Sequence, residues 1–163
     1  MTIVKDRLSF RMAAASDLTA LADIRWEHWS EGAYAPAIVD HEAFRREFAA
    51  RVEPCVASGL MTFWVAEFDG QIVSTLMVER VVKVPKPSKL DDGYGYVTFV
   101  HIRAAYRNMG IGSALLRRFQ AWAKEMDLEF LVLWPSEKSV PLYHRLGFGP
   151  GESLEFTVRP YVG

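Results

Sequence analysis

The stretch VHIRAAYRNMGIGSALL, residues 100–116, constrains this chain more than any other. It follows YGYV at 94–97, and the run of β-branched and aromatic residues over 94–102 predicts a strand. A short polar connection comes next. Two glycines around one apolar residue, Gly110 and Gly112, then open a segment with a helical stripe. Ile111, Leu115, Phe119, Trp122 and Met126 share one face, with Arg117, Arg118, Lys124 and Glu125 away from it. A strand therefore runs into the N-terminus of a helix over 110–126. The first N–H groups of a helix lack internal partners and its dipole adds about half a positive charge there, so such a turn suits an anion. Glycine also lets a phosphate oxygen reach the backbone with no Cβ in between. A P-loop is excluded, because Ser113-Ala114 follows Gly112 where Lys-Ser/Thr is required. A dinucleotide fingerprint is excluded, because Leu115 stands where its third glycine belongs. Two readings stay open on spacing alone: an anion-binding turn, and a tight turn that uses glycine only for packing.

The rest of the chain reads as alternating elements around this unit. Residues 8–14 (LSFRMAA) predict a strand. Ser16-Asp17 then cap a helix carrying Leu18, Leu21, Ile24 (or Arg25) and His28 at helical spacing, which fades near Glu31-Gly32. A second helix is expected from Asp40 to Ala57, with Asp40 as cap and Phe44, Phe48 and Val52 on one face; Pro54 falls late, where it can end the helix early. Residues 61–68 and 71–84 predict a hairpin turning on Asp69-Gly70. A loop at 85–92 follows, and the lysines at 83, 86 and 89, in it and adjoining it, are expected to serve solubility. After the 110–126 helix come a strand at 128–134, a helix near 136–146 and a last β segment around 154–158. The order is mixed α/β, and the βαβ unit from 94 to 134 predicts that its two strands are parallel.

Composition narrows the function classes. The chain has 163 residues, the length of one domain, 1–163, with 50% hydrophobic and 24% charged residues. A net charge of −1 argues against a dedicated nucleic-acid binder. Cys55 is the single cysteine, so neither an internal disulfide nor a cysteine-rich zinc site is available. The four histidines (28, 41, 101, 144) show no paired ligand spacing, and no metal is expected. The longest apolar run, Phe130 to Trp134, falls far short of the ~18 residues of a membrane span, and MTIVKDRLSF has no signal-peptide core. A cytoplasmic protein is expected, with a homodimer allowed for.

The run Arg107-Asn108-Met109-Gly110-Ile111-Gly112, after a strand ending Val-x-Ile and an Arg-x-x-Tyr connection, resembles the acetyl-CoA-binding motif Q/R-x-x-G-x-G/A of the GNAT N-acetyltransferase superfamily. LWPSEKSVPLYHRLGF at 133–148 resembles that superfamily's second core motif, and FWVAEFDGQIVSTLMV at 63–78 the hairpin before the first. The resemblance covers about 61–148. It implies a GNAT-like acyl-CoA N-acyltransferase fold: an α/β mixed sheet with flanking helices and two splayed parallel strands. It also implies acetyl-CoA as co-substrate and a small-molecule or peptide amine as acceptor. The Val100-His101-Ile102 main chain would face the CoA, with Val100 and Ile102 pairing with the pantetheine arm and an N–H near Val100 or His101 on the oxyanion. The amides of Asn108, Met109, Gly110, Ile111, Gly112 and Ser113, with Arg107, would wrap the pyrophosphate. Tyr143 stands where relatives keep the tyrosine that protonates the departing thiolate.

Two departures accompany the resemblance. Ser136 occupies the place, seven residues before that tyrosine, where many relatives carry a CoA-contacting asparagine. The strand at 94–102 holds no carboxylate where many carry a general base, Thr98 and Phe99 standing in its place, so the base is unassigned. A non-catalytic acyl-CoA-binding or sensing domain is the alternative. His101 reads as a structural histidine on the opposite sheet face from Val100 and Ile102. Glu27, His28 and Glu31 read as a solvated helix face or an acceptor wall, and Trp26, Trp29 and Tyr34 as core or that same wall.

Overall fold

The computed structural model describes residues 7–32, 36–154 and 156–158. Five strands, β1 (Leu8–Met12), β2 (Met61–Phe68), β3 (Gln71–Val82), β4 (Gly93–Ile102) and β5 (Leu131–Val132), form one sheet in the order β1-β2-β3-β4-β5. The first four pair antiparallel; β4 and β5 pair parallel. The helices are α1 (Leu18–Glu31), α2 (His41–Ala57), α3 (Ile111–Glu125) and α4 (Val140–Arg145), with 3-10 turns at Ala15–Asp17 and Ala104–Tyr106. No helix among the described residues is long and apolar enough to cross a membrane.

Each face of the sheet buries its own cluster. Leu18, Leu21 and Ile24 of α1 pack on Phe63, Val65, Met77 and Phe99, with Phe48, Val52 and Val56 of α2 beside them. On the other face Leu115, Leu116 and Phe119 of α3 pack on Leu76, Val78 and Val97 together with Tyr143 of α4. The two-residue turn between β2 and β3 has φ 50° at Asp69 and φ 77° at Gly70, the left-handed pair this tight hairpin needs. Asp40 caps α2 by accepting from the Ala43 N–H at 2.7 Å. Asp23 ties α1 to α2, accepting from Arg45 Nε at 2.6 Å and lying 2.9 Å from His41 Nε2.

The helix expected from Asp40 to Ala57 is α2: Pro54 does not end it early, and the Ser58 N–H still donates to the Pro54 carbonyl at 3.0 Å. Three elements differ from the sequence pattern. The predicted strand at 128–134 shortens to Leu131–Val132, because only Gly95 and Tyr96 of β4 have partners on it. The predicted helix at 136–146 begins only at Val140. Pro141 has no N–H to give and is tolerated in a first turn, so a start at 136 would have placed it in the interior. Residues 154 and 156–158 are not a strand, and Glu155 lies outside the described residues. The lysines at 83, 86 and 89 also do more than solubilise their loop. Asp92 is buried, and Lys86 Nζ approaches it to 2.8 Å, with Lys83 and Lys89 at 3.9 Å.

Phe119 is fully buried between the sheet and α3, whereas Arg117 is exposed on the same helix. Phe119→Ala is expected to cost about 3–5 kcal/mol of unfolding free energy in urea denaturation. Arg117→Ala should stay within about 0.5 kcal/mol.

Candidate functional site

The site grows from what happens to β4 after Tyr96. Up to that residue β4 is paired on both sides. The Gly95 N–H donates to the Phe130 carbonyl at 3.0 Å, and Tyr96 stands beside Val132. Beyond it β5 departs, and the β4 edge from Val97 to Ile102 has no strand neighbour there. On its other side β4 keeps its ladder with β3 through a bulge: Thr98 faces Met77 and His101 faces Thr75, so Phe99 and Val100 stand against Leu76 alone. Phe99 takes φ 52°, left-handed for a bulky residue. The bulge reverses the side-chain parity. Val97 lies in the α3 cluster, while Phe99, two residues on, lies in the α1 cluster.

The same geometry decides which main-chain groups are open. The Arg103 N–H donates to the Val73 carbonyl at 2.9 Å, and the His101 carbonyl accepts from Ser74 Oγ at 2.9 Å, so residues 101 and 103 turn toward β3. By alternation Val100 and Ile102 present their N–H and C=O to the open edge. Of the stretch 100–102, His101 therefore offers that edge no main-chain group. Its side chain is buried and stacked on His28 of α1, with ring centroids 4.7 Å apart.

Past β4 the chain forms a cradle. Asn108 (φ 63°) and Gly110 (φ 77°) are both left-handed. Among the described residues, no N–H from Asn108 to Ser113 donates to a protein acceptor; the first internal bond is Ala114 N–H to Gly110 O at 3.1 Å. Six successive free donors leading into a helix N-terminus have the geometry that suits an anion. The two glycines divide the roles left open by their spacing. A Cβ on Gly110 would meet nothing within 4 Å, whereas one on Gly112 would lie 2.7 Å from Ile102 Cδ1. Gly110 supplies the turn; Gly112 is buried and lets α3 close onto the end of β4. Arg107 is drawn back from the cradle: its Nε donates to the Ile102 carbonyl at 3.0 Å and its guanidinium pairs with Glu31. That pairing holds the Glu31 carboxyl below its usual range. Arg103 grips Glu27 through two bonds of 3.0 and 2.9 Å. Glu27 and Glu31, one helical turn apart, thus clamp α1 to the segment between β4 and α3.

Tyr143 projects from α4 into the cluster that also packs Val100, Leu131 and Leu133, on the α3 face of the opening. Phe148 meets its ring edge-on at 5.6 Å, and burial pushes the phenol pKa up. Its hydroxyl has no hydrogen-bond partner among the described residues. Ser136 sits in the turn before α4, where its carbonyl accepts from the Ser139 N–H at 2.9 Å and its Oγ lies 3.0 Å from Ser139 Oγ. Trp26 stacks on His41 and packs against Phe44, so it joins α1 to α2, with Trp29 of α1 against its ring; Tyr34 lies outside the described residues. The strand pattern did not single out Glu79. This half-buried carboxylate of β3 stands opposite Tyr96 and has no ion pair or hydrogen bond among the described residues.

His101 has its pKa pushed down to about 4, first by burial and then by the positive charge His28 would carry; Glu31 opposes this, while Arg107 and Arg103 reinforce it. An unfolded histidine takes its proton near 6.5. Between pH 6.5 and about 4 the unfolded chain therefore binds more protons, and stability falls as pH drops through that window. Urea denaturation should show a loss of about 2 kcal/mol between pH 7 and pH 5, with a visibly shallower dependence in His101→Gln.

These features can be set beside known proteins. The acetyltransferase (GNAT) family model matches residues 18–148. None of the curated proteins matches the chain in sequence. Among solved structures, a predicted acetyltransferase from Clostridium acetobutylicum, determined with acetyl-CoA, is 25% identical; the match covers 93% of this chain and 96% of that one, with a TM-score of 0.76. A GCN5-related N-acetyltransferase from Ralstonia eutropha JMP134 is 27% identical over 96% and 99% of the two chains, TM-score 0.73. Glucosamine-6-phosphate N-acetyltransferase from Arabidopsis thaliana, at 17% identity over 93% and 97%, shares the fold with a TM-score of 0.70. With the mixed sheet, the parted parallel strands and a family match over most of its length, this chain belongs to the GNAT acetyltransferase family.

Proposed function

We propose that the protein transfers the acetyl group of acetyl-CoA to a primary amine by direct attack. The observation that carries this reading is the continuity of two binding features: the unpaired edge of β4 leads straight into the cradle of free N–H groups from Asn108 to Ser113. A pantetheine amide chain lying along Val100 and Ile102 would complete the sheet as a short added strand, and its pyrophosphate would then reach the α3 N-terminus. Arg107 holds the Ile102 carbonyl that this arm needs, so its side chain has to swing away, which frees its charge for the phosphates.

The chemistry follows from placement. An amine of pKa ~10.4 is a free base in only about one molecule in 2,500 at pH 7, so its proton has to be removed. Attack on the thioester carbon gives a tetrahedral intermediate whose oxyanion needs a donor. The Val100 N–H, on the open edge beside the bulge, supports that role. As the C–S bond breaks, the thiolate takes a proton from Tyr143, a phenol that is protonated at neutral pH and that burial pushes further toward that form. The non-catalytic alternative draws on one observation, that no carboxylate lies on β4.

Two measurements test the reading. Acetyl-CoA should raise the melting temperature clearly, and acetyl-pantetheine, which lacks the pyrophosphate, far less; equal shifts would remove the cradle from the binding site. Tyr143→Phe keeps the ring and its packing, so acetyl-CoA affinity should hold while kcat falls on the order of 10–100-fold in a CoA-release assay. If the Tyr143→Phe variant turned over as fast as the parent, Tyr143 would not be the acid. Absence of CoA release with every amine, alongside normal acetyl-CoA binding, would favour the sensing domain.

A further inference from the structure

The proton acceptor missing from β4 has a candidate one strand away. Alternation in β3 puts Met77 in the α1 cluster and Val78 in the α3 cluster, so Glu79 returns to the α1 face. Its neighbours across the sheet are Met61 on β2 and Tyr96 on β4, and Tyr96 is the last residue of β4 that still pairs with β5. Glu79 thus stands one strand spacing, about 4.8 Å, from the point where the opening begins. It lies on the sheet face opposite Tyr143. Most other carboxylates near the opening are engaged: Glu27 with Arg103, Glu31 with Arg107 and Glu129 with Lys83. Glu79 has no such partner among the described residues, and it is half-buried.

The surface beside it has a distinct chemistry. Tyr94 stacks on Phe130 with centroids 4.7 Å apart, and Tyr96 meets Trp134 edge-on at 5.0 Å. Parallel pairing of Tyr96 with Val132 places these four rings on the same face as Glu79. Phe130 is 48% and Trp134 61% exposed, so both rings present an apolar face to solvent beside the open strand edge. A carboxylate next to a row of aromatic rings matches a protonated amine carried on a flat apolar body.

We propose that Glu79 and the rings of Tyr94, Phe130, Tyr96 and Trp134 form the acceptor site, Glu79 receiving the ammonium and its proton and the rings receiving the body of an aromatic primary amine. This rests on the acetyltransferase reading above. The ammonium gives one proton to Glu79, and the freed lone pair forms the C–N bond to the thioester carbon, giving the tetrahedral intermediate. Collapse of that intermediate breaks the C–S bond. The leaving thiolate takes the Tyr143 proton. A second proton from nitrogen returns through water to the tyrosinate, and Glu79 releases its own to solvent. The products are the amide, CoA thiol and one proton. The amine enters from the α1 face and the sulfur leaves on the α3 face, so acceptor and acid do not compete for space.

The experiment uses acetyl-CoA with phenethylamine, read by CoA release, and compares it with β,β-difluorophenethylamine, which has the same ring and a far less basic nitrogen. Glu79→Gln is expected to lower kcat/KM for phenethylamine by about 10²–10³-fold. The acetyl-CoA melting shift should match the parent's. The difluoro amine, already largely unprotonated at neutral pH, should lose less than about tenfold, and Glu79→Asp should regain part of the lost rate. Trp134→Ala should raise KM for phenethylamine by about tenfold. Equal losses with both amines, or a Glu79→Gln rate within about threefold of the parent, would overturn the assignment of Glu79. The same holds if the Asp and Gln variants are equally impaired. If spermidine is acetylated and phenethylamine is not, the aromatic acceptor falls. If acetyl-CoA neither stabilises the protein nor is consumed, the transferase reading itself fails, and this inference fails with it.

Discussion

The proposed site depends on β4 losing its neighbour after Tyr96. A strand edge inside a packed domain carries polar N–H and C=O groups that must find partners or stay open to solvent and ligand. Here β5 pairs with only Gly95 and Tyr96 and then departs. The bulge at Phe99 keeps β4 attached to β3 while shifting its parity, so that Val100 and Ile102 present main-chain groups to the gap. Without the parting there would be no slot; without the bulge the side chains beyond it would face the wrong layers.

The two layers of the molecule divide the proposed chemistry between them. The α3 side carries the cradle at the helix N-terminus, the glycine that lets α3 press against Ile102, and the phenol of Tyr143. The α1 side carries the stacked histidines, the Glu79 carboxylate and the aromatic rings along β4 and β5. Two glutamates one helical turn apart on α1 reach across to Arg103 and Arg107, and so brace one layer against the other at the mouth of the gap. Arg107 also caps the Ile102 carbonyl, a contact that satisfies the open edge and that a bound pantetheine would replace.

The helix-forming turn at Gly110–Gly112 was legible because it depends on local rules: an apolar stripe at helical spacing, glycine where φ must be positive, and donors with no partner in the first turn. The Asp69-Gly70 hairpin and the Asp40 cap were legible for the same reason. The helix to Ala57 was legible despite Pro54, because a proline late in a helix removes only one bond and Val52 and Val56 still pack toward the sheet. The length of β5 could not be read, since LEFLVLW has the composition of a full strand and its pairing depends on where β4 lies. The three lysines read as solvated because nothing in their own segment says that Asp92 turns inward beneath them.

The sequence by itself determined the local parts of this protein: the strand-turn-helix that builds the anion cradle, the second motif that delivers Tyr143, and the helical faces that make the core. Those follow from backbone geometry and side-chain periodicity over a few residues. Only the tertiary structure decided that Gly112 is a packing glycine, that Arg107 is held by Glu31 and Ile102, and that Glu79 stands beside Tyr96. Each of these is a meeting of residues far apart in the chain. Strand register, the parting of β4 from β5 and the parity change at Phe99 bring them together, and all three are set by how the layers pack.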